Sequence, residues 1–184
     1  MSRLNLVEPA DAEGKAADLL GAVKSKLGLV PNLTKVMANQ PAVLDTYLAI
    51  GGALSGGSFD PKTREAIALT VAGANECDYC ASAHSAISAS LKVDQAEIDS
   101  RLAGRSDDAR LNALLTFTKA IVDKRGFVSD EDLSAFRSAG YNDGDVTEVI
   151  ANVVANIFTN YLNHVAETPI DFPLVKTGDL KSAA

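Results

Sequence analysis

The segment that decides the fold is DPKTREAIALTVAGANECDYCASAHSAISASL, residues 60–91. Asp60-Pro61 is a strong helix start, with aspartate as the N-cap and proline at the first helical position, and it predicts a helix running to about Asn75. A second helix is then predicted from Cys77 or Asp78 to the end of the segment. The connection between the two helices is so short that they must fold against each other.

Helical start and stop signals recur on both sides of this segment. We predict helices over Pro9–Leu27, from Pro41 to a Gly/Ser hinge at Ser55–Ser58, from Asp94, from Asp107, from Ser129, and from Asn142 to about Val165. Leu29–Asn39 is predicted to be a loop with one helical turn, and residues from about 167 to 184 an extended tail. Since no segment alternates with the period of a strand, the sequence predicts an all-α compact helical bundle in one domain, residues 1–184.

Composition narrows the classes of partner. The 184-residue chain is 47% hydrophobic, which is enough for a sizeable core, and carries a net charge of −7 with no cluster of lysine or arginine. This charge opposes binding to nucleic acid and to anionic membranes. The longest apolar stretch, around Val149–Phe158, is too short to span a bilayer, and the N-terminus lacks a secretory signal, so we expect a cytoplasmic protein.

The two cysteines are the chemically distinctive residues of the chain. Cys77 and Cys80 lie three residues apart, which in a reducing compartment indicates a catalytic or metal-binding pair rather than a structural crosslink. With His84 they fall within a helical arc of about 60°, so the sulfurs and the imidazole share one face. Both sulfurs also lie in the first turn of the helix, where the dipole favours thiolate over thiol.

Glu65 adds a carboxylate from the preceding helix. It shares a helical stripe with Ala68, Leu69 and Ala72, and therefore faces the core. A carboxylate in that position is a candidate proton acceptor, and the short connection allows it to approach the dithiol directly or through one water molecule.

Other interpretations of these residues compete with a redox centre. Two small core cysteines paired by chance would not explain the histidine and glutamate on the same face. Cys77, Cys80, His84 and His164 have the right number and type of ligands for a tetrahedral zinc site, although such cysteine pairs usually lie in turns. A thioredoxin-like protein would need a βαβ unit, which the sequence does not contain.

A row of amides marks the last predicted helix. Asn152, Asn156, Asn160 and Asn163 occupy an arc of about 80°, with His164 about 40° beyond them. We favour a buried hydrogen-bond ladder at a helix or subunit interface, because amides inside a core must be paired. The alternative is that the row lines a pocket above the dithiol.

The array formed by Glu65, eleven residues, Cys77-Asp78-Tyr79-Cys80, three residues and His84 resembles the core of the alkyl hydroperoxidase D family, in the carboxymuconolactone decarboxylase-like superfamily. The closing string NYLNHVAETPIDFP, residues 160–173, is similar to the peroxidase-related branch of that superfamily. The resemblance thus extends to most of the chain.

The resemblance implies an all-helical fold, assembly as a homotrimer or homohexamer, and reduction of hydroperoxides by a dithiol-disulfide cycle. By analogy Cys80 is the peroxidatic thiolate, Cys77 the resolving cysteine, and His84 with Glu65 a proton relay. No bound cofactor is implied. An external dithiol, for which a lipoyl-bearing protein is the family-level candidate, must reset the disulfide.

The chain departs from the family pattern at Tyr79, where the alkyl hydroperoxidase D enzymes carry a histidine immediately before the second cysteine. A relay element is therefore missing or replaced by a phenol. Two other functions stay open beside the peroxidase: the superfamily's decarboxylase chemistry, which proceeds without redox cysteines, and a structural zinc or binding module.

Overall fold

The structure is a computed structural model that describes residues 2–178. These residues form nine α-helices and no strand, which confirms the all-α class. The helices are α1 (Gly14–Leu27), α2 (Asn32–Met37), α3 (Pro41–Leu54), α4 (Pro61–Ala74), α5 (Asp78–Ser90), α6 (Gln95–Leu102), α7 (Ala109–Asp123), α8 (Asp130–Ser138) and α9 (Asp143–Ala166). Within residues 2–178, no helix combines the length and the apolar character needed to cross a bilayer.

The predicted helix starts depend on side-chain caps that the structure contains. The Asp60 carboxylate accepts a hydrogen bond of 2.7 Å from the Thr63 amide at the start of α4. Ser129 and Asn142 each form a capping box with the residue three positions later, at the starts of α8 and α9. Because each cap satisfies backbone amides that have no partner inside the helix, it fixes the helix start locally.

Two segments near the N-terminus differ from the prediction. The first helix begins at Gly14 rather than Pro9, because Asp11 closes a turn onto the Glu8 carbonyl and Gly14 has a φ of +52°, which no continuous right-handed helix allows. The predicted loop at 29–39 contains the six-residue helix α2, most of whose side chains are buried. Its burial against the core outweighs the weak local signal.

Helix α4 lies at the centre of the fold and packs against α5, α6, α7 and α9. Seven consecutive residues, Ala66–Ala72, are buried, so the helix has no wide solvent face. Gly73 permits the close approach of α6, since a Cβ at that position would lie 2.0 Å from the Leu102 carbonyl oxygen. One part of the core surrounds α4, α5 and the first three helices, and the other joins α4 to α7, α8 and α9.

The segment after α9 is extended, as predicted for its described part, residues 167–178, and it packs back on the bundle. Asp171 accepts a hydrogen bond of 2.7 Å from the Asn32 amide. The Thr177 amide and hydroxyl both donate to the Asp78 carboxylate, at 2.8 and 2.7 Å. This segment therefore lies across the start of the dithiol helix; the predicted tail beyond residue 178 is outside the described residues.

Candidate active site

The two cysteines lie at the start of α5. Cys77 is the N-cap residue, with extended backbone angles, and Cys80 is the third residue of the helix. Both are free thiols. Their side chains are almost fully enclosed, since Cys77 is 1% and Cys80 2% exposed. The dithiol therefore reacts inside the protein rather than on its surface.

The surroundings of the two sulfurs make them chemically unequal. A hydrogen bond from the Cys77 thiol is the largest influence that lowers the pKa of Cys80, to about 6; burial opposes it, while His84 and Asn163 add to it. The Asn163 amide nitrogen donates to the Cys80 sulfur at 3.3 Å. The pKa of Cys77 is raised instead, because its thiol donates to Cys80 and is buried. Near neutral pH, Cys80 is a thiolate and Cys77 a thiol.

His84 and Glu65 form a pair beside this thiolate. His84 Nδ1 lies 2.7 Å from Glu65 Oε2, and each side chain is about four-fifths buried. Burial alone would lower the pKa of His84, but the Glu65 carboxylate, the hydrogen bond to it and the Cys80 thiolate together raise it. The two negative groups therefore favour the cationic form of the imidazole.

A cavity of about 740 Å³ opens onto Cys80, Glu65 and His84. Most of its wall is apolar and comes mainly from α3, α5 and α9, with the side chains of Ile50, Leu54, Ala83, Ile87 and Phe158, joined by Leu27 and Leu29. A cavity of this size accommodates a small organic molecule. Cys80 thus borders a mainly apolar space that also contains hydrogen-bonding side chains, among them Tyr47, His84 and Asn156.

Cys77 borders a different and smaller cavity, of about 400 Å³. Its wall consists of Glu76, Cys77, Asp78, Tyr79, Asn163, His164, Glu167, Thr168 and Ile170. Among the described residues that line the two cavities, only Tyr79 borders both. The two sulfurs of one dithiol therefore face separate spaces, one lined mainly by apolar residues and one mainly by polar or charged residues.

Comparison with known proteins agrees with this site. The model of the Carboxymuconolactone decarboxylase family matches residues 41–123, which include both cysteines, His84 and Glu65. Two crystal structures of uncharacterized peroxidase-related proteins are similar to this chain. One, from Ralstonia eutropha JMP134, is described as an alkylhydroperoxidase AhpD core and aligns with a TM-score of 0.83, 24% identity and 92% coverage of each chain. The other, from Silicibacter sp. TM1040, aligns with a TM-score of 0.81, 25% identity and 91% coverage of each chain.

Residues 41–123 of this chain are thus similar to the carboxymuconolactone decarboxylase family, and its fold is that of the AhpD core. The same fold occurs in the debrominase Bmp8, whose apo structure aligns with a TM-score of 0.78 at 19% identity, over 92% of each chain. At that identity the likeness shows the fold alone. No curated protein sequence matches the chain.

Four predicted residues of the AhpD-like array meet in the structure. Glu65 reaches the site through direct contact with His84, so no bridging water is needed. The four zinc ligands proposed from the sequence do not meet: His164 is on the exposed side of α9 and borders the second cavity, whereas His84 borders the first. In the part of the chain that the structure describes, no group of three or more His, Cys, Asp or Glu side chains could hold a metal ion.

Tyr79, which stands where the AhpD enzymes have a histidine, packs into the core. Its hydroxyl accepts a hydrogen bond of 3.1 Å from the Leu33 amide, and its ring meets Phe172 edge to face, with centroids 5.8 Å apart. Burial raises the pKa of the phenol. Tyr79 therefore joins α5 to α2 and to the C-terminal segment, and the imidazole beside the thiolate is supplied by His84.

The row of asparagines on α9 is hydrogen-bonded throughout, and part of it lines the first cavity. Asn152 and Asn156 line the first cavity, and their amide nitrogens bond to backbone carbonyls one turn earlier in α9. Asn160 bonds to Asn75 at 2.9 Å, and Asn163 donates to Cys80. The buried, hydrogen-bonded amides agree with the interpretation that we favoured, and the two that line the cavity agree with the alternative, because α9 passes over the dithiol.

Tyr47 is a pocket residue that the sequence did not single out. It lies on α3 and borders the first cavity. Burial raises the pKa of its phenol, and the negative charges of Cys80 and Glu65 raise it further, which places the hydroxyl near both groups. An isolated tyrosine among the apolar residues of α3 gives no signal in sequence, because the packing of α3 against α1, α2 and α9 brings it to the site.

Proposed function

We propose that this protein is a thiol-dependent peroxidase that reduces organic hydroperoxides through a Cys77/Cys80 dithiol-disulfide cycle. The observation that carries the proposal is the Cys80 thiolate, with a pKa lowered to about 6, facing an apolar cavity beside a paired imidazolium. A thiolate is the nucleophilic form of cysteine, and the cavity gives an organic peroxide access to it.

In the first step the Cys80 thiolate attacks the distal oxygen of the hydroperoxide. The O–O bond breaks, Cys80 becomes a sulfenic acid and the other oxygen leaves as an alkoxide, which takes a proton to give the alcohol. His84 is the proposed proton donor, because Glu65 holds its imidazole in the charged form. Tyr47, kept neutral by its raised pKa, is a second proton donor at the same cavity.

In the second step Cys77 attacks the sulfenic sulfur of Cys80. An S–S bond forms, the hydroxyl leaves as water with the proton of the Cys77 thiol, and the dithiol has lost the two electrons that the peroxide gained. The hydrogen bond from Cys77 to Cys80 already directs the resolving thiol at its target. An external dithiol then returns the disulfide to the reduced state, as reducing compartments such as the cytoplasm allow.

The test is a thiol titration of the reduced protein before and after one equivalent of cumene hydroperoxide, with mass spectrometry to locate any new bond. Loss of two thiols with a Cys77–Cys80 disulfide is the expected result. Cys80→Ser should abolish the reaction, whereas Cys77→Ser should consume one equivalent and keep a trapped sulfenic acid. Equal turnover in both variants would refute the assigned roles.

A brominated pyrrole belongs in the same experiment. A variant of the debrominase Bmp8 was crystallised in complex with 2,3,4-tribromopyrrole, and that structure aligns with this chain at a TM-score of 0.78 and 19% identity, so the fold by itself does not select peroxide as the oxidant. Formation of the disulfide with tribromopyrrole and not with hydroperoxide would replace our proposal by reductive dehalogenation. Unreactive thiols would favour the decarboxylase or the binding module.

We further propose that the protein assembles as a homotrimer or homohexamer through α9. Four large apolar side chains of this helix, Ile150, Val154, Tyr161 and Val165, are each 43 to 63% exposed. Their spacing places them within about 60° of one another, so they form a single stripe. An exposed apolar stripe along the longest helix fits a second copy of the same helix.

A further inference from the structure

The second cavity borders the cysteine that the first cavity does not reach. Cys77 borders this cavity of about 400 Å³, and Cys80 does not. Cys80 borders the first cavity, and Cys77 does not. Once the disulfide has formed, a thiol that enters the second cavity is placed to attack Cys77 and expel Cys80. A thiol that enters the first cavity is placed to attack Cys80 and expel Cys77.

Two polar atoms at the wall of the second cavity lack a partner. Asn163 Oδ1 and Thr168 Oγ1 are enclosed and make no hydrogen bond to any described residue. Asn163 is 4% and Thr168 7% exposed, and both residues line the cavity. Because buried polar atoms are nearly always paired, these two indicate a ligand that brings a hydrogen-bonding group.

The chemistry of thiol-disulfide exchange also favours attack on the Cys77 sulfur. A thiolate that its surroundings stabilise leaves faster, and Cys80 is the better leaving group because the Asn163 amide, 3.3 Å from its sulfur, and His84 both stabilise its thiolate. Cys80 is expelled when the incoming thiolate attacks the Cys77 sulfur. Of the two cavities, only the second has Cys77 in its wall.

The charge of the second cavity restricts the reductant. Three carboxylates border it, those of Glu76, Asp78 and Glu167, and each has an interaction partner: Glu167 pairs with Arg3 at 3.0 Å, for example, and Asp78 binds Thr177. His164 is the remaining titratable group of the wall besides the cysteine and tyrosine. The excess of negative charge repels an anionic thiol and attracts a cationic one.

We propose that the second cavity is the docking site for the external reductant, and that it admits a neutral or cationic thiol with a hydrogen-bonding group in preference to an anionic thiol. This inference rests on the proposed dithiol-disulfide cycle. The substrate and the reductant then use separate cavities on the two sides of one disulfide.

A dithiol reductant supplies the two electrons that reduction of the disulfide requires. One thiolate of the reductant attacks the Cys77 sulfur, the Cys77–Cys80 bond breaks and Cys80 leaves as a thiolate. The second thiol of the reductant attacks its own sulfur in the mixed disulfide, and Cys77 leaves and takes up a proton. The reductant becomes a disulfide and loses the two electrons that the protein gains.

The experiment uses disulfide-form protein prepared with diamide, so it does not depend on peroxidase activity. Three monothiols of similar size and different charge are compared: cysteamine, 2-mercaptoethanol and 3-mercaptopropionate. Samples are quenched with iodoacetamide and mapped by mass spectrometry. We expect the monothiol on Cys77 and the alkyl group on Cys80, with cysteamine faster than mercaptopropionate by about tenfold per thiolate at low salt. Adducts on Cys80, or equal rates, would overturn the proposal.

A pair of variants tests the charge argument. Glu76→Gln with Glu167→Gln removes two carboxylates of the cavity, and Glu13→Gln with Glu131→Gln removes two exposed carboxylates elsewhere. The first pair should reduce the preference for cysteamine to about threefold or less, and the second should keep it. An equal loss of preference in both pairs would show a net-charge effect and contradict a local site.

Inhibition by cumyl alcohol tests whether the substrate and the reductant use different cavities. This alcohol is the product of cumene hydroperoxide and should occupy the apolar first cavity. At concentrations that slow oxidation of the reduced protein, it should leave reduction of the disulfide by 2-mercaptoethanol unchanged. Inhibition of both steps would place the reductant in the first cavity. If cumene hydroperoxide oxidises no thiol but cysteamine still reduces the disulfide faster than mercaptopropionate, the peroxidase proposal fails and the docking site stands.

Discussion

The Glu65 carboxylate, on α4, lies 2.7 Å from His84 Nδ1, on α5. This contact ties the central helix of the fold to the dithiol helix and holds a cation next to the Cys80 thiolate. The two helices that form the centre of the bundle therefore also carry the reactive groups, and a change in one charge alters the protonation of the others.

Replacing Glu65 by Gln should narrow the pH range of peroxide reduction from both sides. Without the carboxylate the pKa of His84 falls, so the imidazolium is lost at lower pH on the alkaline limb. Without the imidazolium the pKa of Cys80 rises above about 6, so the thiolate forms at higher pH on the acid limb. Stopped-flow oxidation rates across the pH range measure both limbs, and the maximum should fall roughly tenfold to a hundredfold.

Glu131→Gln is the matched control for this prediction, because it removes one exposed carboxylate of α8 without touching the site. Its pH profile should overlay that of the wild type. A Glu65→Gln profile that is lowered uniformly, with both limbs in place, would mean that the carboxylate positions substrate and does not set the protonation of His84.

The sequence was sufficient for those parts of the site that local structure determines. Glu65, the two cysteines and His84 lie on two helices joined by a short connection, so helical geometry alone brings them together. Asp60, Ser129 and Asn142 likewise marked helix starts through caps that involve only neighbouring residues.

Residues that reach the site through tertiary packing were missed from the sequence or given only as an alternative. Tyr47 arrives on α3 and Asn163 on α9, and their sequence distances from Cys80 carry no periodic signal. His164 was considered as a zinc ligand together with His84, and the structure separates the two. His164 points away from the first cavity and borders the second one, because successive residues of a helix are 100° apart. Ligand counts in sequence cannot distinguish the two sides of a helix that crosses the site.

Asn163→Leu should raise the pKa of Cys80 and so reduce the fraction of thiolate near neutral pH. The substitution keeps the volume and removes the donor 3.3 Å from the sulfur. A hydrogen bond to a charged group contributes about 1.5 to 3 kcal/mol, so the pKa of Cys80 should rise by about one to two. The ultraviolet absorbance of the thiolate, followed over a pH titration, measures this change.

Asn156→Leu provides the comparison for Asn163→Leu, because it alters the wall of the first cavity without removing a donor to the sulfur. We expect its thiolate titration to match that of the wild type. If the two variants titrate alike, the amide of Asn163 does not stabilise the thiolate.

The reduced protein should gain stability from Cys80 as the pH rises from about 6 to about 8.5. The folded pKa of Cys80 is about 6, below the value of about 8.5 in an unfolded chain, so the unfolded state binds more protons in this range and the free energy of unfolding increases with pH. The contribution is full above the unfolded pKa and is lost as the pH falls through about 6. Its size should be roughly 3 kcal/mol.

Urea unfolding of the reduced wild type and of Cys80→Ser, at several pH values, measures this contribution as a difference. The difference is the right quantity, because His84 has a raised folded pKa and contributes with the opposite sign, losing its stabilisation as the pH rises. A difference that stays constant with pH would show that Cys80 is not held as a thiolate in the folded protein.

Val154→Glu should dissociate the proposed oligomer. Val154 is 57% exposed in the middle of the apolar stripe of α9, and a carboxylate buried there between two subunits would lack a partner. Light scattering after size-exclusion chromatography should show a monomer. Phe127→Glu, which changes an exposed apolar residue outside α9, should leave the assembly intact, and dissociation of both variants would locate the interface elsewhere.

Tyr47→Phe should slow reduction of alkyl hydroperoxides roughly tenfold, because the alkoxide that leaves loses one of its two proton donors. Removing a neutral hydroxyl should leave the thiolate titration of Cys80 in place, since the raised pKa of Tyr47 keeps it uncharged. Tyr161→Phe, on the exposed side of α9, is the control.

The decisive comparison is with a peracid, whose carboxylate leaving group needs no proton: oxidation by peracid should be equally fast in the wild type and in Tyr47→Phe. A tenfold loss with both oxidants would mean that Tyr47 shapes the cavity and donates no proton.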